Sequence, residues 1–481
     1  MTPLAASWLA LSFCPSLVSA WILFLFPRSP TAFLVAASLD ALVGLGGLYF
    51  LLKHPVLIRF ANVLGISLLL GYALGTAISA VAGLIATGQF DPTVNPSYLS
   101  YRQADISHAL MLVACASTLL FMVGVIDRPL FPTPPEPQDL TSPRARIVLL
   151  LGAALVVGAF AAGDLGYMGT RLSATRNITP LGSLSALLAP ALPPLTVLCL
   201  RRERSRVWRA ILLVLLGASA LALLPLGRRV LLYSLLCALF AFVVSGRGAP
   251  SRPWRRWAWV GIGAPLLLAF MLAGFYFFFA LRVAGYSLGP ESSLSERVGY
   301  AARLLRHGRA MVGPQFVENI GSRPFILAYL AGLYAAQADH PPLWGREIAF
   351  AFQTAVPSVL FPEKTALLPA APEELVHPAL GIPVFDGNTT IVTAGLDDFG
   401  AAGALVYPLA LVLLYGIVRR LAVGRLPPVV YYLVIFRMLY QLLYVEQSLS
   451  GMVTTVIRDL ALVTLLLLVV WKLSGVRRVR A

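Results

Sequence analysis

Apolar residues fill this chain in long runs, and short polar or basic stretches separate them. A helix needs roughly 20 apolar residues to cross the hydrocarbon of a bilayer. On that rule the pattern predicts twelve spans: 5–26, 31–52, 60–86, 107–127, 145–163, 181–200, 209–226, 230–246, 257–281, 395–418, 428–446 and 455–472. Only Gly227, Arg228 and Arg229 join the seventh and eighth, which predicts a tight hairpin. The expected fold is an all-α polytopic membrane protein with both termini on one side. No basic residue precedes the first run and no small-residue cleavage site stands out, so residues 5–26 read as a span and not as a removed signal peptide.

One segment departs from the pattern. Residues 282–394 are mostly non-spanning, and they set the expected order of parts. Spans one to four occupy 1–127, a proline-rich linker 128–144, spans five to nine 145–281, the large loop 282–394, and three spans with a basic tail 395–481. Clustered prolines in the linker forbid helix and favour an extended chain. No internal repeat stands out, which weakens a transporter built from inverted halves.

Composition agrees. The chain has 481 residues, 58% hydrophobic and 12% charged, with a mean hydropathy of +0.81. Soluble domains carry about 25% charged residues. The net charge of +16 is explained by loop arginines that orient the chain, without nucleic acid. With the N-terminus inside, the clusters at Arg201–Arg209, Arg247–Arg256, Arg419–Arg425 and Lys472–Arg480 are cytoplasmic. The short outer loops then hold only Arg28, Arg102, Arg171, Arg176, Arg228 and Arg229. This places 282–394 outside the cytoplasm. Cys14, Cys115, Cys199 and Cys237 all fall in apolar runs with no CxxC pair, as small buried residues do.

Within the long loop, Ser293 and Glu296 have capping-box spacing. They open a predicted helix with Val298, Ala301, Leu304 and Leu305 apolar and Arg297, Arg303, Arg306 and Arg309 basic. Such a helix fits lipid headgroups, a phosphate-bearing substrate, or both. The apolar stretches 325–337 and 348–361 are short for spanning and predict re-entrant or interfacial helices, which line cavities or lie within protein. Between them Asp339, His340, Trp344, Arg346 and Glu347 make the chemically densest spot. Lone histidines are more often structural, but His340 stands beside Asp339 and near Arg346.

Arginines also fall inside spans. One at the bilayer centre costs ~2.5–3.5 kcal/mol on insertion scales, so Arg437 is expected to face the bundle interior. Arg458, near the outer end of the last span, fits either a functional cation or a side chain snorkelling to the interface. Asp40 in the second span is a candidate partner for one of these cations. Asp397 and Asp398 fit a helix cap at the start of the tenth span as well as chemistry.

The closing part of the chain resembles a known family. Val356-Pro-Ser-Val-Leu-Phe-Pro362-Glu-Lys364, then Asn388-Thr-Thr, then Asp397-Asp398-Phe-Gly400-Ala-Ala-Gly403 resemble the closing motifs of Wzy-type oligosaccharide repeat-unit (O-antigen) polymerases. The Gly-Arg-Arg before the eighth span and the long outer loop fit that family's plan. The resemblance implies a glycosyltransferase that joins lipid-pyrophosphate-linked oligosaccharides on the outer face of the cytoplasmic membrane. Its partners would be the polyprenyl-pyrophosphate-linked oligosaccharide, membrane lipid, and chain-length regulator and flippase proteins. An anionic pyrophosphate leaving group calls for preorganised cations, and arginine's planar fork suits phosphate oxygens. Arg228, Arg229, Arg303, Arg306, Arg346 and Arg458 fall near the outer boundary where the substrate's head would sit, and Lys364 and Arg437 complete the expected binding set. The acceptor hydroxyl needs a base, for which His340, Asp397 and Asp398 are candidates. No Asp-x-Asp, glycine-rich phosphate loop or His-Glu-x-x-His occurs, so no metal or cofactor is expected.

Three other readings stay open: a ligase that moves the finished glycan to a different acceptor, a transporter or flippase of the lipid-linked oligosaccharide, and a structural membrane scaffold.

Overall fold

Serine followed by proline starts two of the long helices. In the computed structural model, Ser29 and Ser142 are N-caps whose hydroxyls accept the N–H of Ala32 and Ala145, and Pro30 and Pro143 follow at the first helical position. Proline suits that position because its missing N–H would have no helical partner there. The structure describes residues 3–77, 99–131, 140–162, 164, 180–223, 226, 228–245, 276–307 (except 278, 282, 286, 290 and 291), 325–357, 360–384, 387 and 389–476.

The described residues fold into helices joined by turns. In chain order the principal ones are α1 (Pro3–Leu25), α2 (Pro30–Lys53), α3 (Phe60–Ala77), α4 (Gln103–Ile126), α5 (Pro143–Ala161), α6 (Leu184–Arg202), α7 (Arg206–Ala222) and α8 (Arg228–Val244). They continue with α9 (Leu294–His307), α10 (Phe325–Ala336), α11 (Arg346–Ala355), α12 (Glu373–Ala379), α13 (Ile391–Ala422), α14 (Pro428–Leu443) and α15 (Leu449–Ser474). Eight of these (α1–α6, α13 and α15) are long and apolar enough to cross a membrane. Large apolar side chains stand exposed along them, among them Trp21, Phe24, Leu42, Leu413, Leu465 and Leu473. Water does not tolerate so much continuous apolar surface, and lipid does. This is a helical membrane protein.

The predicted spans 209–226, 230–246 and 428–446 correspond to the shorter α7, α8 and α14, of 17, 17 and 16 residues. Most of the ninth, 257–281, and the end of the third, 78–86, lie outside the described residues. So do the proline-rich positions 132–139 of the linker, Gly227, Arg309, Asp386 and Asn388.

The chain divides into two compact units. The first comprises Met1–Pro132, Gly321–Arg425 and Gln441–Leu462; the second comprises Thr133–Ile320, Leu426–Tyr440 and Val463–Ala481. The predicted loop 282–394 is therefore shared between them.

In the first unit α4 is central and packs on α1, α3, α10 and α13. Its close neighbours demand small contacts. A Cβ on Gly65 of α3 would meet the Phe121 ring at 2.7 Å, and one on Gly124 would meet Asn62 Oδ1 at 1.8 Å. Trp8 is fully buried between Phe50 and Phe121. Asp40, a candidate partner for a cation, accepts a hydrogen bond from the Ser19 hydroxyl at 2.8 Å. Both partners are buried and face each other from α1 and α2. The stretch 325–337 folds as α10, buried along Ile326–Leu333 and packed on α4 and α13.

In the second unit α6 packs on α5, α7 and α8. Glu203, in the turn between α6 and α7, ties that end together. Its carboxylate accepts from Arg146 at 2.7 Å and from the N–H groups of Arg204 and Ser205 at 2.9 Å each. Arg146 also lies over the Trp208 ring, 4.4 Å from its centroid. The capping box forms as the spacing predicts: Ser293 Oγ accepts from Glu296 N–H, and the Glu296 carboxylate accepts from Ser293 N–H at 2.7 Å. On α9, Ala301 packs into a small core with Phe279, Ala280, Leu281 and Ala284.

Candidate functional site

The most unusual backbone in the first unit lies inside α13. The helix begins at Ile391, where the Thr390 hydroxyl accepts from Val392 and Thr393 N–H and is itself bonded to Tyr72 Oη at 2.6 Å. It then breaks at Phe399 (φ −139°, ψ 21°) and Gly400 (φ 66°, ψ −153°). That second conformation is essentially restricted to glycine. Gly395 and Gly403 flank the break and press together. A Cβ on Gly395 would stand 2.2 Å from Gly403 O, and one on Gly403 would stand 1.9 Å from Gly395 O. Thus Gly395, Gly400 and Gly403 together allow a long helix to break without a side chain in the corner.

A helix break strips carbonyls of their usual donors, and a buried carbonyl must find another. Here Leu343 N–H donates to Asp397 O at 2.8 Å, Trp344 N–H donates to Asp398 O at 2.9 Å, and the Gln337 amide donates to Leu396 O. The turn before α11 therefore lies along the break. Trp344 (φ 53°) and Gly345 (φ 86°) complete that turn in the left-handed region. Trp344 is 73% exposed, with its ring edge-on to Phe399 at 6.4 Å.

The two aspartates differ sharply. Asp398 accepts three hydrogen bonds, from Glu347 N–H and Ile348 N–H at 2.9 Å and from Tyr407 Oη at 2.7 Å. It caps the N-terminus of α11, where Gly345 occupies the capping position without a side chain of its own. This corrects the expectation that the pair caps its own span: Thr390 caps α13, seven residues upstream of Asp397. Asp397 is fully buried, and neither carboxylate oxygen has a hydrogen-bond partner among the described residues. The same holds for Glu347, which is 1% exposed. Burial, then Asp397, Asp398 and Glu373, push the Glu347 carboxyl well above the usual carboxylate range.

Lys364 serves the opposite end of α11. Its ammonium donates to Thr354 O and, at 3.0 Å, to Val356 O, the favourable place for a cation on a helix dipole. Burial, with Arg458 nearby, holds it below the usual lysine value. Arg458 lies in a π-turn of α15 (Thr455–Asp459) and pairs with Asp459 at 2.7 Å. Arg346 is exposed at the first residue of α11. His340 is half-buried, its ring over Gly381 (φ 65°), where a Cβ would meet Nε2 at 3.0 Å. The fully buried histidine of this unit is His377, bonded to Tyr329 Oη at 2.9 Å and pushed down to about 4 by burial.

Of the sequence-predicted candidates, the first unit thus contains His340, Arg346, Lys364, Asp397, Asp398 and Arg458. The second contains Arg228, Arg229, Arg303, Arg306 and Arg437. Arg228 begins α8, but its side chain lies outside the described residues; Arg229 beside it is half-buried. Arg303 and Arg306 are exposed on α9, with Arg303 5.7 Å from the Tyr300 ring centroid. Arg437 is buried in α14, its guanidinium 5.1 Å from the Tyr440 ring centroid. Arg297 of the same basic run is buried too, donating to Ser292 Oγ at 2.6 Å and Gly289 O at 2.8 Å, which is a structural role.

Sequence reasoning passed over Glu347, Tyr407, Tyr329 and His377 as site residues. Glu347 carried a usable signal, since it adjoins Arg346 in the densest polar stretch of the loop. The others sit in ordinary helical sequence, and only their burial with polar partners distinguishes them. No family model, curated protein or solved structure matches this chain.

Proposed function

We propose that this protein is an integral-membrane glycosyltransferase that polymerises lipid-pyrophosphate-linked oligosaccharide repeat units. It acts at the outer face of the bacterial cytoplasmic membrane, with twelve crossings, cytoplasmic termini and residues 282–394 outside. The observation that supports this reading is specific. Two separate segments that carry the resemblance to Wzy-type polymerases, 356–364 and 397–403, hold the same short helix. Asp398 caps the start of α11 and Lys364 caps its end. That helix carries exposed Arg346 at its first position and buried Glu347 at its second. In this reading arginines stabilise the charge that develops on the departing pyrophosphate. Asp398 or His340 takes the proton of the acceptor hydroxyl.

Deleting the gene and resolving the cell's lipid-linked and surface glycans on a gel tests the proposal. Single repeat units where a ladder stood before mean a polymerase. Long chains stranded on the lipid carrier mean a ligase. An unchanged profile sinks both.

One observation favours a second reading, transport of the lipid-linked oligosaccharide. A long apolar helix broken within its first third, with buried carboxyls at the break, is a known way to build a site at membrane depth. Reconstitution into liposomes decides it: movement of a labelled lipid-linked oligosaccharide between leaflets by this protein alone supports transport.

A further inference from the structure

Asp398 already has three donors and sits at the positive end of a helix, so its side chain is fully engaged. Glu347 and Asp397 adjoin it with no such help. All four of their carboxylate oxygens are buried and without a hydrogen bond among the described residues. Two negative charges side by side, out of contact with water, are prohibitively costly unless a cation neutralises them.

The neighbouring charges do not supply that cation. Asp397 and Asp398 face Glu347 from α13, and Glu373 acts on it from α12 with the same sign. The nearby phenols are engaged elsewhere: Tyr407 of α13 donates to Asp398, and Tyr329 of α10 is bonded to His377. On α15, which packs against α11, Arg458 is paired with Asp459. Lys364 turns its ammonium to carbonyls at the far end of α11, and Arg346 is exposed.

A metal ion fits poorly as well. The carbonyls of Leu396, Asp397 and Asp398 at the break each accept a protein donor already. Among the described residues no three His, Cys, Asp or Glu side chains are grouped to hold a metal. A proton needs no further ligands.

We propose that Glu347 and Asp397 form a buried proton-binding site, occupied at neutral pH, at the break of α13. The direction of the Glu347 shift agrees with it. The site stands apart from the glycosyl-transfer reading: it follows from burial and charge, and it is measurable without any glycan.

The test is infrared spectroscopy of the full-length protein in lipid nanodiscs, reading the carbonyl stretch of protonated carboxyl groups. Wild type is compared with Glu347→Gln and Asp397→Asn, whose amides imitate the neutral acids and are expected to preserve the wild-type melting temperature. The expected result is a protonated-carboxyl band at pH 7, reduced in at least one variant and unchanged when sodium and potassium are replaced by a large organic cation. Three results overturn the proposal: no such band in wild type, a band of full intensity in both variants, or a band that emerges only when alkali cations are removed. The last would make the occupant a metal cation. Loss of glycan elongation with the band intact would concern the proposed function alone.

Discussion

The carboxylate of Asp398 accepts the backbone N–H of Glu347 at 2.9 Å, joining the break of one helix to the first turn of another. Through that bond and its neighbour from Ile348, α13 sets where α11 begins. Arg346 and Glu347 are presented from a helix end that the chain could not cap locally.

Asp398→Ala removes the cap of α11 and leaves the Tyr407 hydroxyl without its acceptor. Loss of a helix cap costs about 0.5–2 kcal/mol. Tyr407→Phe removes one hydrogen bond of three and is expected to cost about 1 kcal/mol. Thermal unfolding in detergent should therefore rank wild type above Tyr407→Phe, and Tyr407→Phe above Asp398→Ala. Equal melting temperatures for all three would mean that the cap contributes nothing.

The glycines of α13 should divide into two groups. Gly416→Ala meets no atom within 4 Å and exchanges glycine for the best helix former, so it should be neutral or stabilising by up to ~1 kcal/mol. Gly403→Ala drives a methyl group to 1.9 Å from the Gly395 carbonyl oxygen, which forces the backbone of the break apart. We expect Gly403→Ala to lower the yield of folded protein severely. Size-exclusion profiles of the two variants side by side would check this.

Glu203 predicts an acid-sensitive end of the second unit. Burial works against its charge, but the N–H groups of Ser205 and Arg204 and the Arg146 guanidinium hold its pKa below the ordinary value of 4.5. A carboxyl depressed by folding contributes stability that is fully present above its unfolded pKa. That contribution is lost as pH falls through the folded value. The melting temperature of wild type should drop over that acid interval more steeply than that of Glu203→Gln. Parallel curves for the two proteins would refute the assignment.

The cations carry the functional prediction. Replacing Arg303, Arg306, Arg346 or Arg437 by Ala should reduce chain elongation while the protein stays in the membrane. Removing one charge-stabilising donor from a transition state costs about 10²–10³ in rate. The readout is the glycan ladder of deletion cells complemented with each variant, with membrane content followed by immunoblot. Four normal ladders would refute the charge-stabilising role proposed for these arginines.

Much of the architecture was legible because its signals are local. A run of apolar residues long enough to span is visible in any window of that length. Ser29-Pro30, Ser142-Pro143 and the Ser293–Glu296 box mark helix starts through contacts within four residues. The site was legible only in part. Asp397 and Asp398 attracted notice as neighbours in sequence, yet they have opposite environments, one with three donors and one with none among the described residues. Residue type cannot distinguish them, since the difference is made by α11 arriving from fifty residues away.

By itself, then, the sequence determined a helical membrane protein, the approximate places of its long apolar helices, and an arginine-rich polar stretch between them. Those follow from hydropathy and short-range hydrogen bonding, which act along the chain. The tertiary structure decided that Asp398 caps a distant helix, that Lys364 caps its other end, that Asp40 meets Ser19, and that Glu347 lies buried in the field of Asp397. Each of these depends on which backbones approach closely. The paired glycines at the break of α13 permit one such approach, and packing about α4 in the first unit enforces others.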